Sequence, residues 1–358
     1  MNDLKITKVK SNYAFIKPFL YNKASMTTVS IRMIVLLLIQ VLLLVLSNSY
    51  SAVIVISATF LGSVAAYLIR FIVSKEPFYS SLEIFLQGLM IGMLLPETYP
   101  PLVAFFISAF LLTLVRYILS SVYNVWANLI ALGVVLAWFI GKNYFPQFLI
   151  PSELISMKNP SLTMIQKGIF PISSFDASVT YFLNDTIFHF FDINIPGGYI
   201  SLMWDTHSVI PAFRFNIVTI VSSLFLFSDD GVEILIPSIF LFVYALLVRL
   251  FAPFVFGGAF NTGDVILAIF TSGTLFCSVF ILQWFGTVPG SLCGKIIYAV
   301  LTGITAFAIV GSGTSSVGMV YTILLSNVYT VIIKVIEDNR SMVLMKKILT
   351  AKDEVYVK

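Results

Sequence analysis

Charge is what this sequence has least of. Of its 358 residues only 11% are Asp, Glu, Lys or Arg, while 59% are hydrophobic. A soluble domain carries about 25% charged residues, so a surface facing water is excluded for a chain of this size. Lipid covers an apolar surface without charge, and a bilayer resolves the conflict. Cysteine is nearly absent as well. Cys277 and Cys293 form no CxxC pair, and neither a zinc nor an iron–sulfur site is expected within the chain. The two histidines, His189 and His207, lack metal-ligand spacing and read as polar loop residues. No acid–base or nucleophilic constellation is present. A cleavable signal peptide is not expected, because the first apolar run is too long, too far from Met1 and followed by further spans.

The few charges are placed unevenly. Lys5, Lys8, Lys10, Lys17 and Lys23 crowd one end, and Arg340, Lys346, Lys347, Lys352 and Lys358 the other. The positive-inside rule puts both tails in the cytoplasm, which requires an even number of spans. These lysines are sparse and sit beside apolar runs, so the expected contact is anionic lipid, with no nucleic acid partner.

Apolar runs of bilayer-spanning length recur throughout and predict an all-α polytopic membrane protein with about ten transmembrane helices. The first five are expected near Val29–Leu46, Ala52–Val73, Ile84–Leu95, Leu102–Leu119 and Ala127–Ile140. A Ser-Asn-Ser turn separates the first two. The third is short, contains Gly88 and Gly92, and stops at Pro96 in a three-proline stretch that cannot stay helical. The fifth carries Asn124 and Asn128. The other five are expected near Phe215–Phe227, Ile234–Phe256, Val265–Trp284, Ile296–Val310 and Val317–Ile336, the eighth breaking at Gly286 and Pro289 and the tenth carrying Asn327. Arg70, Arg116 and Arg249 sit near span ends, and Glu83 and Asp264 at span starts, so none is a deep proton carrier.

Five regions follow: a cytoplasmic arm 1–28, a first five-helix repeat 29–141, a loop 142–213, a second five-helix repeat 214–336 and a cytoplasmic tail 337–358. An odd number of spans per half means the halves enter the membrane from opposite sides, the arithmetic of an inverted repeat. The loop then lies outside the cytoplasm. Its length and its Phe and Ile content point to ordered, functional structure, with Val179–Phe191 suited to lie along the membrane interface.

Distributed segments resemble the D subunit of the Rnf electron-transport complex, a family shared with the B subunit of the sodium-pumping NADH:quinone oxidoreductase. They are Ser11-Asn12-Tyr13, the run from Gln87 to Pro96 followed by Pro100-Pro101, the run from Tyr123 to Asn128, and the run from Tyr321 to Asn327. The resemblance implies ten spans, inverted repeats and a large loop bearing flavin mononucleotide (FMN), joined through its phosphate to a threonine hydroxyl in an Asp-x-x-Ser-Gly-Ala-Thr motif. Ser173-Ser174-Phe175-Asp176-Ala177-Ser178-Val179-Thr180 is the similar stretch here, with the acid closer to the hydroxyl and Val179 in place of Ala. Thr180 is the expected attachment residue, Ser178 the second candidate and Asp176 the accompanying acid. A second, non-covalent flavin is a further expectation.

The family's Thr-Asp-Pro-Val-Thr segment in the eighth span is replaced by the run from Gln283 to Pro289, without the acid. The resemblance further implies partner subunits, a flavin transferase, the bacterial inner membrane, and electron transfer coupled to Na+ or H+ movement. A channel or secondary transporter of inverted-repeat fold, or a flavin-free assembly subunit, fits the same pattern of spans.

Overall fold

The computed structural model describes residues 25–74, 82–115, 120–121, 124–125, 127–146, 152–155, 160–168, 171–192, 194–228, 232–284, 286–311 and 315–356. The N-terminal lysines, the Ser11-Asn12-Tyr13 element, Lys75, Arg116, Tyr123, Trp126, Lys158 and Lys358 lie outside them.

The first half is built from α1 (Met26–Leu46), α2 (Tyr50–Ser74), α3 (Leu82–Leu94), α4 (Pro101–Phe110) and α5 (Leu129–Ile140). Local chemistry sets their ends. Ser25 caps α1 by accepting from the Thr28 amide at 3.2 Å. The expected Ser-Asn-Ser turn follows, with Asn48 left-handed at φ 59°. Pro96 stops α3, and Pro101 opens α4 at a position where its missing N–H costs nothing. From Leu111 to Val115 the fourth span widens into π-helix. Asn128 caps α5, accepting from the Ile130 and Ala131 amides. Asn124, expected within this span, instead pairs with Ser121 in a two-residue strand before it.

Among its described residues the loop holds a single helical turn at Ser152–Ile155 and the helices α6 (Pro160–Gln166), α7 (Asp176–Thr186) and α8 (Tyr199–Trp204). The second half comprises α9 (Asn216–Ser228), α10 (Leu235–Val255), α11 (Val265–Thr271), α12 (Thr274–Phe280), α13 (Leu292–Val310) and α14 (Gly318–Tyr356). Five of these helices, α1, α2, α10, α13 and the apolar part of α14, are long enough to cross a bilayer, and α3, α4, α5 and α9 are shorter apolar helices.

One expectation is corrected here. The eighth span does not run unbroken to Trp284. It breaks at Gly273, whose φ of +71° no L-residue adopts cheaply, and where a Cβ would strike the Phe213 ring. The helix of the tenth span, α14, continues through the expected tail region to Tyr356, 39 residues or about 58 Å at 1.5 Å per residue.

The pairing of helices in one half is reproduced in the other. α3 packs on α1, α2 and α5, as α12 packs on α9, α10 and α14; α2 packs on α4 as α10 packs on α13; α4 meets α5 as α13 meets α14. Each half therefore surrounds a short helix, and every residue of α3 from Ile84 to Leu94, and of α12, is buried. Close approach explains how α3 fits: a Cβ on Gly88 would lie 2.5 Å from the Ser63 Cβ, and one on Gly92 2.8 Å from the Ile56 Cα. The halves join where α1 meets α9 and α5 meets α14.

The connections also sort into two groups. The loop bonds to the turns at Ser49 and Glu97 and to Asp264. At the other end, Glu233 bonds Gln283 and Lys295, and Glu337 bonds Gly290 and Ser291. A chain crossing once per span puts the first group on one side of the bilayer and the second on the other.

Candidate functional site

Within the loop, α7 carries all three sequence-predicted residues, but they do not share one environment. Asp176 is 1% exposed, in the first turn of α7. Its Oδ1 accepts from the Gly198 amide at 2.7 Å and the Thr180 hydroxyl at 3.2 Å. Its Oδ2 accepts from the Ser201 amide and hydroxyl, both at 2.7 Å. Burial works against its charge, yet these four donors outweigh burial and hold the carboxyl below the usual aspartate range. The left-handed Gly198, at φ +99°, lets the chain turn back over the carboxylate. Asn184 closes the other end, exchanging two 2.9 Å bonds with the Ile195 backbone.

The candidate hydroxyls point in different directions. Thr180 is 7% exposed and donates inward to Asp176. Ser178 is exposed beside exposed Ala177. A phosphoester acceptor must be reachable by a transferase and flanked by small residues; Ser178 meets that requirement as packed, and Thr180 does not. Tyr181, Phe182 and Phe190 are exposed around α7 and its 3-10 extension, the apolar surface expected of an interfacial segment.

The loop is anchored by residues that sequence reasoning left unassigned. Asp264 caps α11 by accepting from Leu267 at 3.0 Å and also accepts from the Ser161 amide and hydroxyl. The Ser161 hydroxyl lies 2.7 Å from that of Tyr199, whose phenol burial pushes above its ordinary range. Arg214 grips Asp205 through two bonds, at 3.0 and 2.5 Å, and donates to Ser49 in the α1–α2 turn. His207 is held by Asp205, and His189 is exposed. No group of three metal-ligating side chains occurs among the described residues.

The second polar assembly lies where α12 ends. Its freed carbonyls are claimed by distant helices: Asn128 donates to Ile281 at 3.2 Å, and Tyr298 to Leu282 at 3.0 Å. The Tyr298 hydroxyl also lies 3.1 Å from Ser326. Beyond it, the Gln283 side chain exchanges two bonds with the Glu233 backbone, and the Glu233 carboxylate pairs with Lys295 at 2.6 Å. Thr330 donates to Thr287, and Lys334 to Gly286. Gln283, Gly286 and Thr287 are thus each held by a different partner residue. Asn327 is the exception, 4% exposed with neither amide atom hydrogen-bonded.

The sequence model of the NQR2, RnfD, RnfE family matches residues 14–342. No curated protein matches the chain. The match covers both five-helix halves, the loop and the segment after α12, and the chain belongs to the NQR2, RnfD, RnfE family.

Proposed function

We propose that this chain is the flavin-bearing, ion-coupling membrane subunit of an Rnf-type oxidoreductase complex. Family membership makes it a membrane subunit of an Rnf- or Nqr-type assembly; the flavin, the coupled ion and the transferase partner are this reading's own additions. The observation that carries it is the family match across both halves and the loop. Bound flavin would supply the redox chemistry, and the protein its position and its shielding from water.

α7 is the proposed anchor. Ser178 is its accessible hydroxyl. Thr180, the hydroxyl to which the resemblance points, must first release Asp176, at a cost on the order of 1–2 kcal/mol for one hydrogen bond. Burial therefore orders the two acceptors without eliminating either. Exposed aromatics around α7 suit a segment lying on the membrane surface. The lysine-rich tails support cytoplasmic termini in a bacterial inner membrane. For Na+ or H+ passage, the supporting feature is the seam between the halves, where Asn128, Tyr298 and Asn327 are buried near the broken helix.

A second reading, a flavin-free assembly subunit, is favoured by one observation: the Asp176 carboxylate is filled by four donors from the loop itself, and the buried Thr180 hydroxyl is one of them. In-gel ultraviolet fluorescence of denatured protein from cells with an active flavin transferase separates the two. Flavin attachment predicts a fluorescent band that one substitution, Ser178→Ala or Thr180→Ala, abolishes. A dark wild-type band supports the flavin-free subunit.

A further inference from the structure

A cleft of about 370 Å³ opens between the C-terminal end of α5 and the start of α14, on the loop side of the protein. Trp138, Lys142, Phe145, Ser315, Ser316 and Tyr321 are among its walls. Lys142 is exposed, with its ammonium 5.3 Å from the centroid of the Trp138 ring. Trp138 meets Tyr321 edge-on at 6.0 Å, and Ser316 donates to the Pro146 carbonyl at 2.8 Å, closing the back. Among the described residues no carboxylate lines the cleft, and Lys142 is the one charged side chain in its wall. An anion is the complementary occupant.

What lies beside the cleft narrows the choice. Tyr321, Leu325, Val328 and Ile332 follow one another at helical spacing on one face of α14, and the last three are exposed apolar side chains. This stripe runs about 17 Å from the cleft toward the middle of the span. A free phosphate would leave it unused, whereas an acyl chain would cover it. Trp, Tyr and Lys are also the residue types that gather at the membrane–water boundary.

We propose that the cleft holds the headgroup of an anionic membrane phospholipid, with Lys142 pairing its phosphate and an acyl chain lying along Leu325, Val328 and Ile332. The site does not depend on flavin, and its test does not use flavin.

The test is the thermal midpoint of the full chain in neutral detergent, titrated with phosphatidylglycerol, phosphatidylcholine or inorganic phosphate. Phosphatidylglycerol should raise the midpoint more than either alternative. Lys142→Gln should weaken its apparent affinity about tenfold, the scale of one charge-assisted contact, while Lys142→Arg keeps it. Lys167→Gln, at an exposed lysine elsewhere in the loop, should change nothing. Equal responses to phosphatidylglycerol and phosphatidylcholine overturn the proposal, as does an equal response to inorganic phosphate or wild-type affinity in Lys142→Gln.

Discussion

Asn128, at the start of the last helix of the first half, donates across the molecule to the carbonyl oxygen of Ile281 in the second. The same side chain caps its own helix through the amides of Ile130 and Ala131. One residue thus satisfies backbone groups on both sides of the seam. Asn128→Ala should cost about 1 kcal/mol for the cap and about 1–3 kcal/mol for the stranded carbonyl. Thermal unfolding in detergent would show the loss, and an unchanged midpoint would remove Asn128 from the seam.

Asn327 predicts the opposite behaviour. Its buried amide has no bonded partner, so it pays desolvation without return. Asn327→Leu should leave stability unchanged or raise it by about 1–2 kcal/mol. Under the proposed ion-coupling function, ion transport by the assembled complex should fall in the same variant. A destabilised variant would show that the amide is structural.

Gly273 marks the break in the eighth span. Gly273→Ala should cost about 1–2 kcal/mol in backbone strain, with a further penalty from displacing the Phe213 ring. Adding Phe213→Leu should recover only the second part. Unfolding midpoints of the single and double variants measure the two contributions separately.

Asp176 makes the loop sensitive to acid. Its carboxyl is held below the ordinary aspartate value, so its contribution to stability is complete above that value, about 3.9. The contribution is lost as pH falls through the lowered one. Asp176→Asn leaves one acceptor oxygen in place of two and strands donors from Gly198 or Ser201, at a cost on the order of 2–4 kcal/mol. Limited proteolysis across a pH series should find the variant loop cleaved faster at neutral pH and with a flatter acid limb than wild type.

Much of this architecture is legible in the residues. Helix ends show where a cap or a proline acts locally, as at Ser25, Pro96 and the Ser-Asn-Ser turn. The break at Gly273 is not, because a Thr-Ser-Gly run is compatible with a continuous membrane helix. The Phe213 ring, brought by a distant segment, occupies the space a side chain at 273 would need. The run of α14 past the membrane is hidden for another reason: lysines and acids mark the exit from lipid, not the end of a helix. At α7 the acid and both hydroxyls are legible, but the donors from Gly198 and Ser201 arrive from 22 and 25 residues away. That distance conceals which hydroxyl faces in.

The two-sided sorting of the connections can be measured directly in intact cells. Cys293 is exposed at the start of α13, Cys277 is buried, and Ser174 is exposed in the loop. With both tails in the cytoplasm, as proposed, five crossings per half would put Cys293 inside and Ser174 outside. A maleimide that cannot cross lipid should label Ser174→Cys in whole cells and reach Cys293 only after lysis. Labelling of Cys293 from outside, or of Ser174→Cys only after lysis, would contradict the proposed orientation and, with it, an extracytoplasmic flavin site.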